Sequence, residues 1–280
     1  MMAGRVGIYL AGVQKAGTTS LHGYLAAHPA LAAPRVKETH FFDDEGQDWT
    51  APDYDTFHAY FPEEAGRGFD ATPITSFWPP SLGRIQRYNP AARLIIVLRD
   101  PIERAYSHWA MEQRRGAETL AFADAIRAGR ARLPTSDPLR PEWRVFSYVE
   151  RGFYAGQVRR ALDLFPRRQL LFLDAHELRL AHAAVLTRIA GFLGLPPFPA
   201  LPRRLDHAAP PGLGPTAADR EYLRALFAAD AAALAGLTGL DLQHWPTHGG
   251  GQSRFFSSRV EWGRRSRLIF GRGILHRSRI

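Results

Sequence analysis

The sequence predicts an α/β fold in which a central, mainly parallel sheet is flanked by helices. Three apolar runs, Val6–Val13, Arg93–Leu98 and Leu170–Leu173, have the length and continuous apolar character of buried strands. A helical pattern follows each run, and this alternation is typical of strand-helix-strand units with parallel strands. The 280 residues are enough for one large domain of this class.

Seven helices are predicted from apolar spacing, several with proline near the first turn or glycine after the last. They lie near Thr18–His28, Pro80–Tyr88, Pro101–Arg115, Phe122–Ala131, Phe153–Phe165, Ala175–Leu193 and Ala217–Leu237. Segments 43–68 and 133–147 lack clear periodicity. We predict that both are long loops over the ends of the sheet, where α/β proteins often build their sites.

The composition excludes several classes of protein. With 45% hydrophobic and 22% charged residues, the chain resembles folded globular proteins and not disordered ones. The absence of cysteine excludes disulfides, thiolate zinc sites and a cysteine nucleophile. No apolar run approaches the ~18 residues that span a bilayer, and the first apolar segment is too short for a signal peptide. We therefore expect a cytoplasmic protein.

Charge is unevenly distributed along the chain. The formal net charge is +9, and residues 246–280 alone carry eight arginines and one glutamate. We predict a single domain over residues 1–245, followed by an Arg-rich C-terminal tail over residues 246–280. Of the 36 basic residues only Lys15 and Lys37 are lysines. These two positions are candidates for roles that a guanidinium cannot fill.

The strongest chemical signal is GVQKAGTTSL at residues 12–21, a glycine turn between the first strand and the first helix. Backbone N–H groups and the helix dipole at such a turn bind anions, and Lys15 with the hydroxyls of residues 18–20 adds charge and donors. The motif differs from a Walker A loop, because Lys15 precedes Gly17 and does not follow the second glycine. A plain structural turn is the alternative.

A second signal, RLIIVLRDPIERAYSHW at residues 93–109, places Arg99 at the end of a buried strand and Ser107 on the next helix. Ligands of open α/β sheets gather at this edge, and arginine with serine suits a phosphate group. The structural alternative is an ion pair between Arg99 and Asp100 or Glu103.

A third signal is KETHFFD at residues 37–43. If the segment is extended, Glu38 and His40 share one face. A carboxylate beside aromatic side chains can act as a general base, with His40 as its orienting group or as an alternative base. A surface loop without chemistry would also account for this cluster.

Together and in this order, the three motifs resemble those of sulfotransferases that use 3′-phosphoadenosine 5′-phosphosulfate (PAPS). The likeness is to the branch of heparan sulfate sulfotransferases and their bacterial relatives, over roughly residues 5–195. It implies a P-loop-NTPase-like three-layer sandwich. It also implies that Glu38 is the general base, that His40 and Asp43 lie beside it, and that Lys15 stabilises the leaving phosphate. The cofactor-binding residues implied are Lys15, Ala16, Gly17, Thr18, Thr19, Ser20, Arg99, Ser107 and, from the segment RGFY at 151–154, Tyr154.

The chain departs from this branch at two places. Ala71 stands where the glycosaminoglycan enzymes carry lysine, which argues against an acidic polysaccharide as acceptor unless Arg35, Arg67 or Arg84 supplies the charge. The basic loop that closes over the nucleotide near the C-terminus has no clear counterpart. Arg203–Arg204 or the Arg-rich tail could replace it.

The resemblance implies sulfuryl transfer to a hydroxyl or amine of a small-molecule, glycolipid or oligosaccharide acceptor, leaving adenosine 3′,5′-bisphosphate (PAP). We expect no metal, because lysine, hydroxyls and backbone N–H groups can stabilise a sulfuryl group, which carries less charge than a phosphoryl group. We expect no nucleic-acid partner, and the oligomeric state is left open.

Two other functions remain open on the sequence alone. One is a P-loop kinase acting on a small molecule, which would require Mg²⁺ and ATP. The other is a module that binds a membrane surface through the tail, where arginines alternate with aromatic and aliphatic residues. A weak membrane contact of the tail is also compatible with the sulfotransferase interpretation.

Overall fold

The computed structural model describes residues 5–62, 66–204 and 214–248. Within these residues, five strands form one parallel sheet in the order β2-β3-β1-β4-β5. The strands are β1 (Ile8–Gly12), β2 (Leu31–Ala32), β3 (Arg67–Asp70), β4 (Arg93–Leu98) and β5 (Leu170–Asp174). The parallel sheet flanked by helices that the sequence predicts is confirmed.

Helices connect the strands and cover the sheet. They are α1 (Thr18–Ala26), α2 (Tyr54–His58), α3 (Ser81–Tyr88), α4 (Pro101–Arg114), α5 (Phe122–Ala125), α6 (Glu142–Val145), α7 (Tyr154–Leu164), α8 (Ala175–Leu180), α9 (His182–Leu193) and α10 (Ala217–Thr238). Short 3₁₀ turns cover Ala128–Arg132, Glu150–Gly152, Arg167–Gln169 and Pro246–His248. None of the helices in these ranges is both long and apolar enough to cross a bilayer.

The strands at the centre of the sheet are fully buried, as their continuous apolar sequences predict. All five residues of β1 are buried, and so are five of the six residues of β4. β4 pairs with β1 on one side and with β5 on the other, in register from Leu94↔Leu170 to Leu98↔Asp174. The carboxyl ends of β1 and β4 therefore lie side by side in the middle of the sheet.

Two of the predicted helices are interrupted. The prediction of one helix over Phe122–Ala131 was wrong, because Arg127 (φ −110°, ψ −98°) leaves the helical region between α5 and a 3₁₀ turn. Its guanidinium donates instead to the Ala123 carbonyl and to Asp219 on α10. The predicted helix Ala175–Leu193 is likewise divided at Ala181 (φ −134°, ψ 47°) into α8 and α9.

Several elements were not predicted. β2 has two residues and β3 has the sequence RGFD, so neither contains an apolar run that the sequence could reveal. Two short helices, α2 and α6, lie inside the predicted loops 43–68 and 133–147. Both are stabilised by specific contacts, and neither shows an apolar spacing that would predict it. At α2, for example, the Asp53 side chain accepts a hydrogen bond from the Asp55 N–H group.

The last described residues pack against the domain. Both the N–H and the hydroxyl of Thr247 donate to Asp100 Oδ2, at 2.9 and 2.7 Å. Asp100 also caps α4, where its Oδ1 accepts from Ile102 and Glu103. The predicted tail 246–280 thus contributes residues 246–248 to the fold, and its residues 249–280 lie outside the described ranges.

Candidate active site

The first two motifs meet at the carboxyl ends of β1 and β4, the edge where parallel sheets bind ligands. Arg99, which follows β4, donates from Nη1 to the carbonyl of Lys15 at 2.9 Å. At the end of β1, a Cβ on Gly12 would lie 2.4 Å from Ser76 Oγ, so only glycine fits this close approach. The predicted anion-binding turn is therefore held between the segments that carry Arg99 and Ser76.

The N-terminus of α1 is arranged to receive an anion. Its N-cap residue, Gly17, has φ 85° and so occupies the left-handed region that glycine adopts without strain. No side chain caps this helix, and its first turn contains no acidic residue. The N–H groups and the positive end of the helix dipole are thus available to a phosphate or sulfate group.

Lys15 adds a cation to this turn, and the charge of Glu112 acts on it only from beyond the distance of an ion pair. Its Nζ lies 3.6 Å from Met111 Sδ on α4, and no ion pair within the described ranges includes it. Burial, followed by the nearby charges of Arg114, Arg99 and Arg115, lowers the pKa of Lys15 to about 8. A bound anion would supply the missing counter-charge.

Within the strand-end motif, the Arg99 guanidinium is only partly paired by other residues of the motif. The alternative ion pair does form, since Arg99 Nη2 lies 3.2 Å from Glu103 Oε2. Ser107 follows Glu103 by four residues on α4, so both lie on the same face of the helix as the arginine contact. Ser107 is partly exposed, and the predicted pairing of Arg99 and Ser107 along one face is compatible with this geometry.

Tyr154 is buried beneath the candidate site and supports its backbone. The Tyr154 side chain does not line the open side of the site. Its side chain is 1% exposed, and its hydroxyl donates to the Arg99 carbonyl at 2.9 Å. Its own N–H group donates to Asp230 on α10. The contact that the structure gives to Tyr154 is therefore to the backbone that carries Arg99.

A cluster of buried basic side chains lies behind the turn. The sequence alone does not reveal this cluster. Arg104 and His108 on α4 are fully buried, and neither ring nitrogen of His108 has a hydrogen-bond partner. Burial and the neighbouring arginines lower the pKa of His108 well below its usual value, so it is neutral. Arg151 is also buried and donates to Gln14 Oε1 at 2.7 Å, next to Lys15. Burial and two arginines lower the pKa of Arg151 to about 9.

The third motif brings its charged groups together, although not in the expected way. Glu38 and His40 have φ of 65° and 54°, so the segment is not extended as the alternation argument assumed. Glu38 Oε2 nevertheless lies 3.7 Å from His40 Nε2, and the Lys37 ammonium group contacts Glu38 Oε1. The left-handed backbone at both residues produces the contact that an extended strand was expected to make.

Behind His40, a local contact holds the ring, and a long-range contact holds the residue that makes it. His40 Nδ1 lies 2.9 Å from Asp43 Oδ2, and Arg144 Nη1 donates to the same oxygen at 2.6 Å. Arg144 Nη2 also contacts the Asp43 carbonyl, and its guanidinium stacks 4.1 Å from the ring centre of Trp78. Arg144 was not predicted, and its position 101 residues after Asp43 gave no local signal.

These contacts set the charge states of the motif. Burial alone would raise the pKa of Glu38, but the close contact with Lys37 and the nearby His40 ring outweigh it and lower the pKa to about 2. Hydrogen bonds to Asp43 and Glu38 raise the pKa of His40 to about 9. At neutral pH the arrangement is therefore an ionised carboxylate between the ammonium group of Lys37 and the imidazolium of His40.

Three residues of the candidate site share an uncommon backbone conformation. Lys15, Glu38 and His40 have φ of 73°, 65° and 54°. They are the only non-glycine residues with positive φ in the part of the chain that the structure describes. Such conformations cost about 1–3 kcal/mol each and cluster at functional sites. The three residues predicted to carry the chemistry are thus singled out by their backbone geometry as well.

The arginines considered for the acceptor lie elsewhere. Arg67 begins β3 at the opposite end of the sheet and contacts the Leu193 carbonyl at the end of α9. Arg84 is buried, pairs with Glu45 at 2.7 Å and stacks on Trp49. Both guanidinium groups are thus engaged within the protein, and the idea that one of them replaces the lysine missing at Ala71 stays a prediction. Of the Arg203–Arg204 pair, Arg204 lies against α1, where a Cβ on Gly23 would be 2.6 Å from its Cζ.

A cleft of about 510 Å³ opens beside His40. Its wall is made mostly of polar side chains from the third motif, the following loop and α6. They are Thr39, His40, Phe41, Asp43, Asp44, Gln47, Asp53, Thr56, Tyr60 and Arg144. This cleft is the candidate acceptor site, because its wall includes His40, whose ring lies 3.7 Å from Glu38; Glu38 itself is not part of the wall.

Residues 7–207 match the sulfotransferase domain family, and all three motifs lie inside this range. The chain belongs to the sulfotransferase family. The membership predicted from the motifs is therefore confirmed. Roles for individual residues of this sulfotransferase remain predictions that the geometry above supports. Within the described ranges, no group of three His, Asp or Glu side chains is placed to hold a metal ion.

Relatives of this sulfotransferase include enzymes of heparan sulfate. It is 32% identical over 203 residues to human bifunctional heparan sulfate N-deacetylase/N-sulfotransferase 2, covering 68% of this chain and 22% of that protein. It is 30% identical over 191 residues to human heparan sulfate glucosamine 3-O-sulfotransferase 3B1, covering 66% of this chain and 45% of that protein. The chain thus matches less than half the length of these curated relatives.

A solved structure of similar size is also related. The crystal structure of a sulfotransferase from Alicyclobacillus acidocaldarius superimposes with a TM-score of 0.72 at 29% identity. The superposition covers 87% of this chain and 99% of that one. The three-layer fold predicted from the resemblance is confirmed by this match.

Proposed function

We propose that this protein transfers a sulfuryl group from PAPS to a hydroxyl or amine of a carbohydrate or other small-molecule acceptor. The observation that carries the proposal is the uncapped N-terminus of α1, with the unpaired cation of Lys15 beside it and Arg99 bonded to the same turn. An anion-binding turn of this kind and a carboxylate ready to accept a proton are the two parts that sulfuryl transfer requires.

The turn side of the site would hold the nucleotide. Lys15, the N–H groups of residues 17–20 and the hydroxyls of Thr18, Thr19 and Ser20 would hold the 5′-phosphosulfate, whereas the Ala16 N–H group donates to the Val13 carbonyl. Arg99 and Ser107 would hold the 3′-phosphate, with Tyr154 fixing the backbone of Arg99. When bound, PAPS supplies the sulfuryl group and a phosphate as leaving group. Lys15 would stabilise the negative charge that grows on that phosphate.

The base side of the site would activate the acceptor. Glu38 is ionised at neutral pH and accepts the proton of the attacking hydroxyl or amine. A carboxylate with so low a pKa is a weak base toward a free alcohol. It suffices as the oxygen–sulfur bond forms, because the acceptor proton then becomes strongly acidic. His40, Asp43 and Arg144 hold the carboxylate in place.

The two sides are connected by one segment of the chain. Arg151 donates to Gln14 in the turn and to the Arg144 carbonyl at 2.8 Å, while the Arg144 side chain binds Asp43. Glu38 and Lys37 also influence the pKa of His22 on the first turns of α1. These contacts support a single site in which base and anion-binding turn face a shared substrate. A cytoplasmic location stays part of the proposal.

Calorimetric titration with PAP in EDTA tests the nucleotide half of the proposal. We expect tight binding to the wild type, and binding weakened at least tenfold in Lys15→Ala and Arg99→Ala, since each loses a charged contact worth about 1.5–3 kcal/mol. Arg168→Ala, an exposed arginine beyond the opposite end of the sheet, serves as the control and should bind PAP as the wild type does. Binding that requires Mg²⁺ and prefers ATP would replace the proposal with the kinase.

A further inference from the structure

Three arginines are buried in the part of the chain that the structure describes, and two of them have no carboxylate partner. Arg84 donates to both carboxylate oxygens of Glu45, at 2.8 and 2.7 Å. Arg104 and Arg151 are only 0% and 3% exposed, yet no ion pair within the described ranges includes either of them. A buried charge is normally paired, because its removal from water is costly. Arg104 and Arg151 therefore require an explanation that Arg84 does not.

The hydrogen-bond partners of these two guanidinium groups are all uncharged. Arg104 donates from Nη2 to the Tyr148 carbonyl, and its Nε and Nη1 have no partner. Arg151 donates to Ser147 Oγ at 2.8 Å, to Gln14 Oε1 at 2.7 Å and to two backbone carbonyls. Direct contacts within the described residues therefore neutralise neither positive charge.

The carboxylates that act on the two arginines from a distance are engaged elsewhere. Each lies within 3.2 Å of a different arginine, and the pairs are Glu112–Arg115, Glu150–Arg130 and Asp43–Arg144. Burial lowers the pKa of Arg104, and it is the main cause that lowers the pKa of Arg151 to about 9. Both groups stay protonated at neutral pH, so the free protein holds two buried cations without counter-charge.

Both buried cations lie against the anion-binding turn. Gln14, which accepts from one of them, belongs to the turn itself. The other adjoins Tyr154, whose hydroxyl donates to the Arg99 carbonyl at 2.9 Å. Burial, followed by the two arginines and Lys15, lowers the pKa of His108, so this ring is neutral and adds no charge. The excess of positive charge is thus concentrated behind the turn and Arg99, where a bound nucleotide would place its phosphates.

We propose that Arg104 and Arg151 are buried counter-charges for the bound nucleotide, unpaired within the protein and compensated by the phosphates of PAPS. This inference rests on the proposed function and deepens it, because it assigns two residues that favour a nucleotide with phosphate at both the 3′ and the 5′ position. Both act from behind the turn, through Gln14 and the backbone of Arg99, and are not catalytic residues. Charges in a protein interior are weakly screened, so their attraction extends to the phosphates in front of the turn.

Calorimetric titration with PAP and with adenosine 5′-monophosphate (AMP), which lacks the 3′-phosphate, tests this proposal. Arg104 is the residue to change, because it has one hydrogen bond to lose and Arg151 has four. In Arg104→Gln, PAP affinity should fall at least about tenfold and AMP affinity by less, since the electrostatic loss grows with the charge of the ligand. Arg104→Lys keeps the charge. At slightly acid pH, where a buried lysine stays protonated, this variant should retain the wild-type preference for PAP.

Thermal unfolding of the ligand-free protein separates this role from a structural one. Arg104→Gln removes an unpaired buried charge, so its Tm should equal or exceed that of the wild type. Arg84→Gln is the matched control, because it breaks the buried pair with Glu45. It should lower Tm and leave PAP affinity unchanged. The same substitution at two buried arginines is therefore expected to give opposite results.

The possible results also separate this proposal from the function on which it rests. Failure of the wild type to bind PAP would overturn the sulfotransferase function itself. With that binding intact, the counter-charge role alone would be overturned by any of three results in titrations: a loss of PAP affinity below about threefold in Arg104→Gln, an equal loss for PAP and AMP, or a lost preference in Arg104→Lys. A Tm lowered as far as in Arg84→Gln, or failure of Arg104→Gln to fold, would overturn it as well.

Discussion

The turn side and the base side of the site are assembled by different means. The anion-binding turn of the turn side is local: one strand, one turn and one helix supply Lys15, Gly17 and the N–H groups within residues 12–21, and only Arg99 and Ser107 come from a second motif. The base side depends on partners distant in sequence, since Asp43 needs Arg144 and Glu45 needs Arg84, 39 residues away. Anion binding can thus be specified by a short motif, whereas positioning a base and shaping an acceptor cleft requires the completed fold.

Among variants that test whether the turn side and the base side act separately, the largest loss of activity is expected at the base, Glu38. Glu38→Gln removes the proton acceptor without changing the shape of the side chain, and should lower kcat about 10²- to 10⁴-fold. Affinity for PAP, measured by calorimetry, should remain that of the wild type, because the turn side is intact. Weaker PAP binding in this variant would show that the two sides are not separate in function.

The next largest effect is expected at the turn. Lys15→Ala removes the cation beside the leaving phosphate, and should lower kcat about 10²- to 10³-fold in addition to weakening PAP. Arg168→Ala, measured in the same steady-state assay, should be unaffected. A loss in kcat below about threefold would exclude Lys15 from stabilising the leaving group.

Arg144 tests whether distant contacts position the base. Arg144→Gln removes one of the two cations that hold the buried carboxylate of Asp43, and should lower kcat about 10- to 100-fold through misplacement of His40 and Glu38. Since Arg144 is one of the groups that lower the pKa of Asp43, its removal raises that pKa. The acid limb of the pH–kcat profile should therefore move to higher pH, with PAP affinity unchanged.

A purely structural role for Arg144 would give a different result. It would lower the unfolding temperature and the amount of active protein, but leave the pH profile of the remaining activity in place. Arg140→Gln is the matched control, because this neighbouring arginine is exposed and contacts Glu142 only at 3.7 Å. It should leave both kcat and the profile unchanged.

The smallest expected effect is the pH dependence of PAP binding to the turn side. Because the pKa of Lys15 is lowered to about 8 in the free protein, Lys15 is protonated below this value and loses its charge above it. PAP affinity should fall severalfold as pH rises through about 8, and binding near this pH should take up part of a proton. Calorimetry in buffers of different ionisation enthalpy measures that uptake. Lys15→Ala should abolish it.

The sequence predicted those parts of the molecule that depend on local pattern. The three longest strands, most helices and the anion-binding turn follow from continuous apolar runs, from spacing and from glycine at a strand end. The third motif was located correctly although its assumed extended backbone was wrong. The contact between Glu38 and His40 arises from two left-handed residues, which no periodicity reveals.

The features that escaped prediction depend on tertiary contacts. β3 is a strand because β1 and β2 pair with it, and its sequence RGFD lacks the apolar run that would identify it. The split of the helix at Arg127 reflects the ion pair to Asp219, 92 residues later. Arg144 belongs to the site through its contact with Asp43, which nothing in its neighbouring sequence indicates. Arg151 lies in the segment RGFY that carries part of the resemblance, but its contact with Gln14 is not readable from that segment.

The left-handed backbone at Lys15, Glu38 and His40 has a consequence for how substrates are bound. These conformations oppose the local preference of the chain, so the surrounding fold must hold them, at about 1–3 kcal/mol for each residue. The free energy of folding therefore already covers the cost of assembling the site. Substrate binding does not have to supply this free energy again. Such preorganisation favours rapid turnover of a loosely held acceptor.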